Sequence, residues 1–184
     1  PPLGPAADAL QRQGIALAVQ QAGKCINRVR VVVCATPALQ LIERSIRVKA
    51  AVVSDDFTEQ GRREILNYGH TLGHAVETLC GYGTWLHGEA VAIGLVYAAL
   101  LARELGRIDD HRVVQHRQVV EGEYGLSCAL PAGVSHDELI ALMHSDKKAL
   151  SGLTFVLDGS NGVEPVSPVS VDAVRSALSR MEVR

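Results

Sequence analysis

Leu66-Asn67-Tyr68-Gly69-His70-Thr71-Leu72-Gly73-His74-Ala75-Val76-Glu77, followed shortly by Leu86-His87-Gly88-Glu89, is the stretch that decides how this 184-residue chain is read. It gathers three histidines, an amide and two carboxylates. On a helix His70 and His74, four positions apart, share a face, and Asn67 and Glu77 stand three positions outside that pair on the same stripe. A solvated face of an amphipathic helix would carry the same polar residues. Gly69 and Gly73 argue against it, because each costs about 1 kcal/mol relative to Ala inside a helix. On an exposed surface that loss brings nothing, so the two glycines point to close packing against a neighbour.

Working outward, a Gly81-Tyr82-Gly83 turn separates this helix from His87, which opens a strongly apolar helical run. A third histidine changes the meaning of the other two. A neutral imidazole supplies one nitrogen at about 2.0 to 2.1 Å, and a catalytic zinc takes three protein ligands and keeps one position open. Two histidines fall one short, so the third ligand is a carboxylate from elsewhere or the third imidazole. His74 has a second possible use, since an imidazole with an ordinary pKa near 6.5 can carry protons at neutral pH.

The remaining pattern is mostly helical. A weak Ala/Gln-rich helix is expected over residues 5–22 and an extended segment over Val29 to Ala35. A helix from about Pro37 to Val53 carries Lys49, and a charged segment from Asp55 to Glu59 leads into one continuous helix from Arg63 to Cys80. The helix opening near His87 runs to Leu105 and stops at Gly106. Asp109 to Glu121 has helical spacing, and Ser135 with Glu138 forms a capping-box signature for a helix through Met143. Asp146-Lys147-Lys148 falls in a loop just past it. Leu153 to Leu157 reads as a short strand followed by a turn at residues 158–162. Ser170 with Asp172 starts a last helix through Met181.

Composition agrees with a mainly α fold, a helical domain with at most a short strand pair. The chain is 47% hydrophobic but only 4% aromatic, which implies a core of Ala, Val, Leu and Ile. A net charge of -2 makes no case for nucleic acid or an anionic membrane surface. The most apolar run, Ala90 to Ala102, is shorter than the roughly 20 residues a bilayer requires. Pro1-Pro2-Leu3-Gly4 does not look like the start of a signal peptide. Cys25, Cys34, Cys80 and Cys128 lack CxxC spacing, so reduced thiols in a cytoplasmic protein are expected. His111 and His116 read as residues of a polar helix face, His136 as a first-turn residue and His144 as having at most a minor part, so none of the four is assigned to the site.

From about Leu41 to Leu157 the chain resembles the C-terminal domain of the 3-dehydroquinate synthase family. The residues that carry the likeness are Ile46-Arg47-Val48-Lys49-Ala50-Ala51-Val52-Val53, then Asp56, Glu59, Gly61 and Arg63, then Asn-Tyr-Gly-His-Thr-Leu-Gly-His from Asn67 to His74. It continues through Leu86-His87-Gly88-Glu89-Ala90-Val91-Ala92-Ile93-Gly94 to Asp146-Lys147-Lys148 and Leu153-Thr154-Phe155-Val156-Leu157. The resemblance implies that His70 and His87 bind a divalent metal, zinc or cobalt, and that His74 contacts substrate and helps proton transfer. It assigns Lys49, Arg63, Asn67 and Lys147 to the phosphate, carboxylate and hydroxyls of a small anionic sugar phosphate, with Lys148 able to exchange roles with Lys147. The implied reaction converts 3-deoxy-arabino-heptulosonate 7-phosphate into 3-dehydroquinate and phosphate, with NAD oxidising and then re-reducing one carbon, in a homodimer.

The chain departs from the family in two respects. Family members are roughly twice as long and carry an N-terminal domain for NAD, and no cofactor-binding residues are found here. The family's third metal ligand, a glutamate in an Ala-Glu-Val-Ile-Lys-like segment, has no counterpart. Residues 1–40 read unlike the family and stay unassigned, leaving 41–184 as the helical domain. The other readings carried forward are a related sugar phosphate cyclase and an inactive helical remnant serving as a binding or dimerisation module.

Overall fold

A helix that is apolar on every side belongs in the middle of a domain, and residues 90–102 occupy that place, buried at every position. The computed structural model describes residues 36–57, 61–81, 84–145 and 153–183. In chain order the elements are α1 (Thr36–Asp55), a 3-10 turn (Arg62–Asn67), α2 (His70–Cys80), α3 (His87–Glu104), α4 (Asp110–Arg117) running into a π-helical segment (Gln118–Glu123), α5 (His136–Ser145), β1 (Leu153–Leu157), β2 (Glu164–Val169) and α6 (Val171–Ser179). Around α3 pack α2, α4, α6 and β1, while α5 lies against α2 and α6. The mainly α class with one strand pair agrees with the sequence. The helix expected over residues 5–22, the extended segment from Val29 and the loop bearing Lys147 and Lys148 lie outside the described residues.

Local chemistry explains most boundaries. Asp109 accepts the Arg112 N–H at 2.8 Å and Ser170 accepts the Ala173 N–H at 3.2 Å, each satisfying a donor at a helix start. Glu89 reaches back to accept the Leu86 N–H at 2.8 Å, which fixes the entry to α3 beside His87. At the far end Gly106 has φ +68 and the Arg107 N–H returns to the Ala102 carbonyl at 2.9 Å, closing α3 where the sequence places its stop. No described helix is long and apolar enough to cross a membrane.

The pair β1–β2 is antiparallel, with Phe155 opposite Val166 and Val156 opposite Pro165. β1 is largely buried, and Phe155 meets Tyr97 of α3 with ring centroids 6.1 Å apart. β2 is mostly exposed and holds Pro165 and Pro168, which an edge strand tolerates because its outer side needs no ladder donor.

Three expectations are corrected. The continuous helix from Arg63 to Cys80 is broken: the 3-10 turn ends at Asn67, Tyr68 is extended, and Gly69 takes a left-handed φ of +79 before α2 begins. Asn67 therefore sits on a different element from His70, His74 and Glu77. The break is tertiary in origin, since a Cβ on Gly69 would come within 2.9 Å of the Leu95 nitrogen and 3.0 Å of the Val91 carbonyl. The second correction is that the Asp109–Glu121 helix is α-helical only to Arg117 and continues as a π-helical segment. The third concerns His116, which does not share a polar face with exposed His111 but is 1% exposed within the core.

Candidate metal centre

The histidines converge because α2 and α3 form an antiparallel hairpin that approaches at glycines. A Cβ on Gly73 would meet the Ala90 carbonyl and the Val91 backbone at 3.2 Å, so the packing expected from Gly69 and Gly73 is present. On α2, His70, His74 and Glu77 share a face; His87, the first residue of α3, turns back onto it. Ring centroids of His70 and His74 are 5.5 Å apart, of His70 and His87 5.3 Å, and of His74 and His87 5.8 Å. Three imidazoles from two helices thus meet in one cluster.

Two rings have their orientation set from behind. The His70 Nδ1 lies 3.2 Å from the Tyr68 carbonyl, which can only accept, so Nδ1 carries the proton and Nε2 keeps its lone pair. The His87 Nδ1 lies 3.0 and 3.2 Å from the two oxygens of Glu77, an arrangement with the same result. An imidazole whose far nitrogen is held by a carbonyl or carboxylate is the form in which histidine ligates metals. Ligand atoms of His74, Glu77 and His87 all lie within 4.8 Å of one another. Imidazoles with one carboxylate make a donor set that suits zinc or cobalt, and this group does not include His70. Sequence reasoning placed Glu77 on the stripe and missed its bond to His87, because that contact depends on how the hairpin closes.

Burial keeps His70 in its ligating form. Burial lowers the His70 pKa from 6.5 to about 4, the Tyr68 carbonyl opposes the shift, and the neighbouring His74 and His87 add to it. His116 is also lowered, again first by burial. Both are depressed bases, so the unfolded chain binds more protons than the folded one once pH falls below about 6.5, and stability falls with it. His70 contributes a loss of up to about 1.4 kcal/mol per pH unit within its window, from about 6.5 down to about 4, and His116 acts in the same direction. Urea unfolding in chelator at pH 7.5 and 5.5 is expected to show a lower midpoint at pH 5.5; equal midpoints would contradict neutral buried imidazoles.

The residues assigned to substrate are divided between elements. Lys49 is half-buried on α1, which packs against the 3-10 turn that holds Arg63 and Asn67, also half-buried. Asp56 holds that turn by accepting the Gly61 and Arg63 N–H groups, each at 2.9 Å, while the Arg63 Nη1 donates to the Phe57 carbonyl at 3.1 Å. Lys49, Arg63 and Asn67 thus come from adjoining elements, and Lys147 lies outside the described residues.

Residues 16–149 match the family described as 3-dehydroquinate synthase C-terminal. A putative aminodehydroquinate synthase of Amycolatopsis mediterranei is 49% identical over 140 residues, covering 76% of this chain and 39% of that protein. A 3-dehydroquinate synthase of Desulforamulus reducens is 45% identical over 138 residues, covering 74% and 38%. The chain thus spans about two-fifths of the length of these relatives. Among solved structures, 2-deoxy-scyllo-inosose synthase complexed with carbaglucose-6-phosphate, NAD+ and Co2+ matches with a TM-score of 0.65 and 27% identity, covering 78% of this chain and 41% of that one. ValA, a 2-epi-5-epi-valiolone synthase of Streptomyces hygroscopicus with NAD+ and Zn2+ bound, shares the fold at a TM-score of 0.67 over 92% of this chain and 50% of that one, with 18% identity. By this match over most of its length and by these relatives, the chain belongs to the 3-dehydroquinate synthase C-terminal family.

Proposed function

We propose that this chain is the metal- and substrate-binding part of a 3-dehydroquinate synthase, acting on 3-deoxy-arabino-heptulosonate 7-phosphate to release phosphate and form 3-dehydroquinate. The observation that carries the reading is the meeting of His70, His74 and His87 with two of the three rings held at Nδ1. His70 and His87 would hold zinc or cobalt, and Glu77 sets the orientation of His87. A bound divalent cation supplies Lewis-acid stabilisation to a hydroxyl as it loses its proton. His74, the most exposed of the group, would contact substrate and move that proton. Arg63 offers a planar fork for phosphate or carboxylate, Lys49 and Lys147 offer compact charges, and Asn67 a hydrogen-bonding amide. NAD belongs to the reaction by resemblance to the family. A cytoplasmic setting and pairing with a second copy follow from the same resemblance.

Equilibrium dialysis against zinc and cobalt tests the reading. The chain is expected to bind close to one equivalent, with affinity at least about 100-fold weaker in His70→Ala/His87→Ala, while helical content is kept. Unchanged affinity in the double variant would remove both ligand assignments. A second reading has its own support, because the 49% identical relative is named an aminodehydroquinate synthase. Phosphate release from the heptulosonate phosphate against its amino-substituted counterpart, measured with NAD and the chain joined to a relative's N-terminal part, separates the two.

A further inference from the structure

Tyr68 and His116 form a buried pair that the reaction chemistry leaves unused. Tyr68 is 3% exposed and its hydroxyl lies 2.9 Å from the His116 Nε2. The His116 Nδ1 lies 2.8 Å from the Arg112 carbonyl, so that nitrogen must be the protonated one. Nε2 is then an acceptor and the tyrosine hydroxyl donates. Behind the histidine, Asp158 at the end of β1 accepts from the Arg112 Nε at 2.7 Å and from the Gly159 N–H at 3.0 Å, with one oxygen 3.8 Å from the His116 Nε2. His116 of α4, with Asp158 from the end of β1 behind it, thus anchors the hydroxyl of one aromatic ring.

That ring belongs to the residue whose carbonyl orients His70. Tyr68 lies between the 3-10 turn and α2; its N–H donates to the Ile65 carbonyl at 3.2 Å and its own carbonyl accepts from the His70 Nδ1 at 3.2 Å. Side chain and peptide share one Cα, so anchoring the hydroxyl limits how the Tyr68 peptide can turn, and with it which way the His70 Nε2 points.

We infer that Tyr68 and His116 are positioning residues for the metal centre, which aim His70 through the Tyr68 carbonyl. The inference rests on His70 being a metal ligand. A purely structural pair would affect stability alone; a positioning pair also sets metal affinity and the ligand field.

The test is cobalt binding to the whole 184-residue chain, followed by equilibrium dialysis and the visible spectrum, with Tm measured in parallel. Tyr68→Phe keeps the ring and removes only the hydroxyl. His116→Leu removes the acceptor, and His116→Gln keeps an acceptor, since its amide oxygen reaches about as far as Nε2 and can accept from Tyr68. Leu178→Ala, at a fully buried position of α6, reports loss of stability alone. Tyr68→Phe and His116→Leu are expected to weaken cobalt binding about 10-fold and to alter the visible band. His116→Gln is expected to recover most of the loss, and Leu178→Ala to lower Tm with unchanged affinity. Wild-type affinity and spectrum in folded Tyr68→Phe would overturn the inference, whether or not His116→Leu folds. Failure of the wild-type chain to bind cobalt would instead overturn the metal reading, and this inference with it.

Discussion

Gly94→Ala is expected to disrupt the α2–α3 hairpin and lower stability by more than about 3 kcal/mol. A Cβ at that position would stand 1.9 Å from the Gly69 carbonyl oxygen, 2.8 Å from its carbon and 3.1 Å from the Gly73 nitrogen. All three are backbone atoms, and no rotamer change can relieve the overlap. The Gly69 carbonyl also accepts the Gly73 N–H at 3.1 Å in the first turn of α2, so pushing it away loosens the start of the helix that bears His70 and His74. Leu95 and Val91 close the other side of Gly69, which leaves the peptide no room to retreat. Gly73→Ala makes a graded comparison, because its contacts of 3.2 Å ask the neighbouring helix to give by only a few tenths of an ångström. Urea unfolding of the three proteins checks the order wild type, Gly73→Ala, Gly94→Ala. A midpoint for Gly94→Ala close to wild type would mean that the helices are not held as tightly as described.

Asp158→Ala carries the second large effect, a loss of about 3–5 kcal/mol. Asp158 is fully buried, and its carboxylate pairs with an Arg112 side chain that is 17% exposed. Placing two charges in a core gains little overall, but removing one partner leaves the other charge poorly solvated. Truncation takes from Arg112 its 2.7 Å partner, and the bond to Gln115 at 3.2 Å is too weak to replace it. The Gly159 N–H loses its acceptor as well. Asp158→Asn keeps the size and one accepting oxygen, so its cost is expected to be smaller. The difference between the two variants in urea midpoint measures what the side chain's bulk and bonding contribute apart from its charge. Less than about 1 kcal/mol lost in Asp158→Ala would show that water reaches Arg112.

Much of the site was legible from spacing. His70, His74 and Glu77 at intervals of four and three lie on one helical face, and Gly69 and Gly73 announced the close approach that sets that face against α3. The all-apolar run after His87 could hardly be anything but a central helix. What escaped had long-range causes. Nothing in the run from Arg62 to Tyr68 announces a break, because the left-handed turn at Gly69 is imposed by Val91 and Leu95 from the next helix. His116 lies in a polar run that reads as solvated. Its burial is produced by Tyr68, 48 positions earlier, and by Asp158, in a segment that sequence alone identifies only as a turn. The strand β2, with prolines at 165 and 168 and an exposed outer side, has no alternating pattern, and its partner is the evidence for it.

The burial of α3 on every side sets which parts of the molecule can move alone. Local opening draws on segments with few buried contacts, whereas a central helix is released only when the whole domain opens. The 3-10 turn has no buried residue, so Arg63 and Asn67 ride on a piece of chain less deeply set than α2 and α3. His87 is anchored at the root of α3, and His70 and His74 stand on the helix packed against it. The protein thereby separates a less buried edge from a rigid frame in which the distances among three imidazoles are kept.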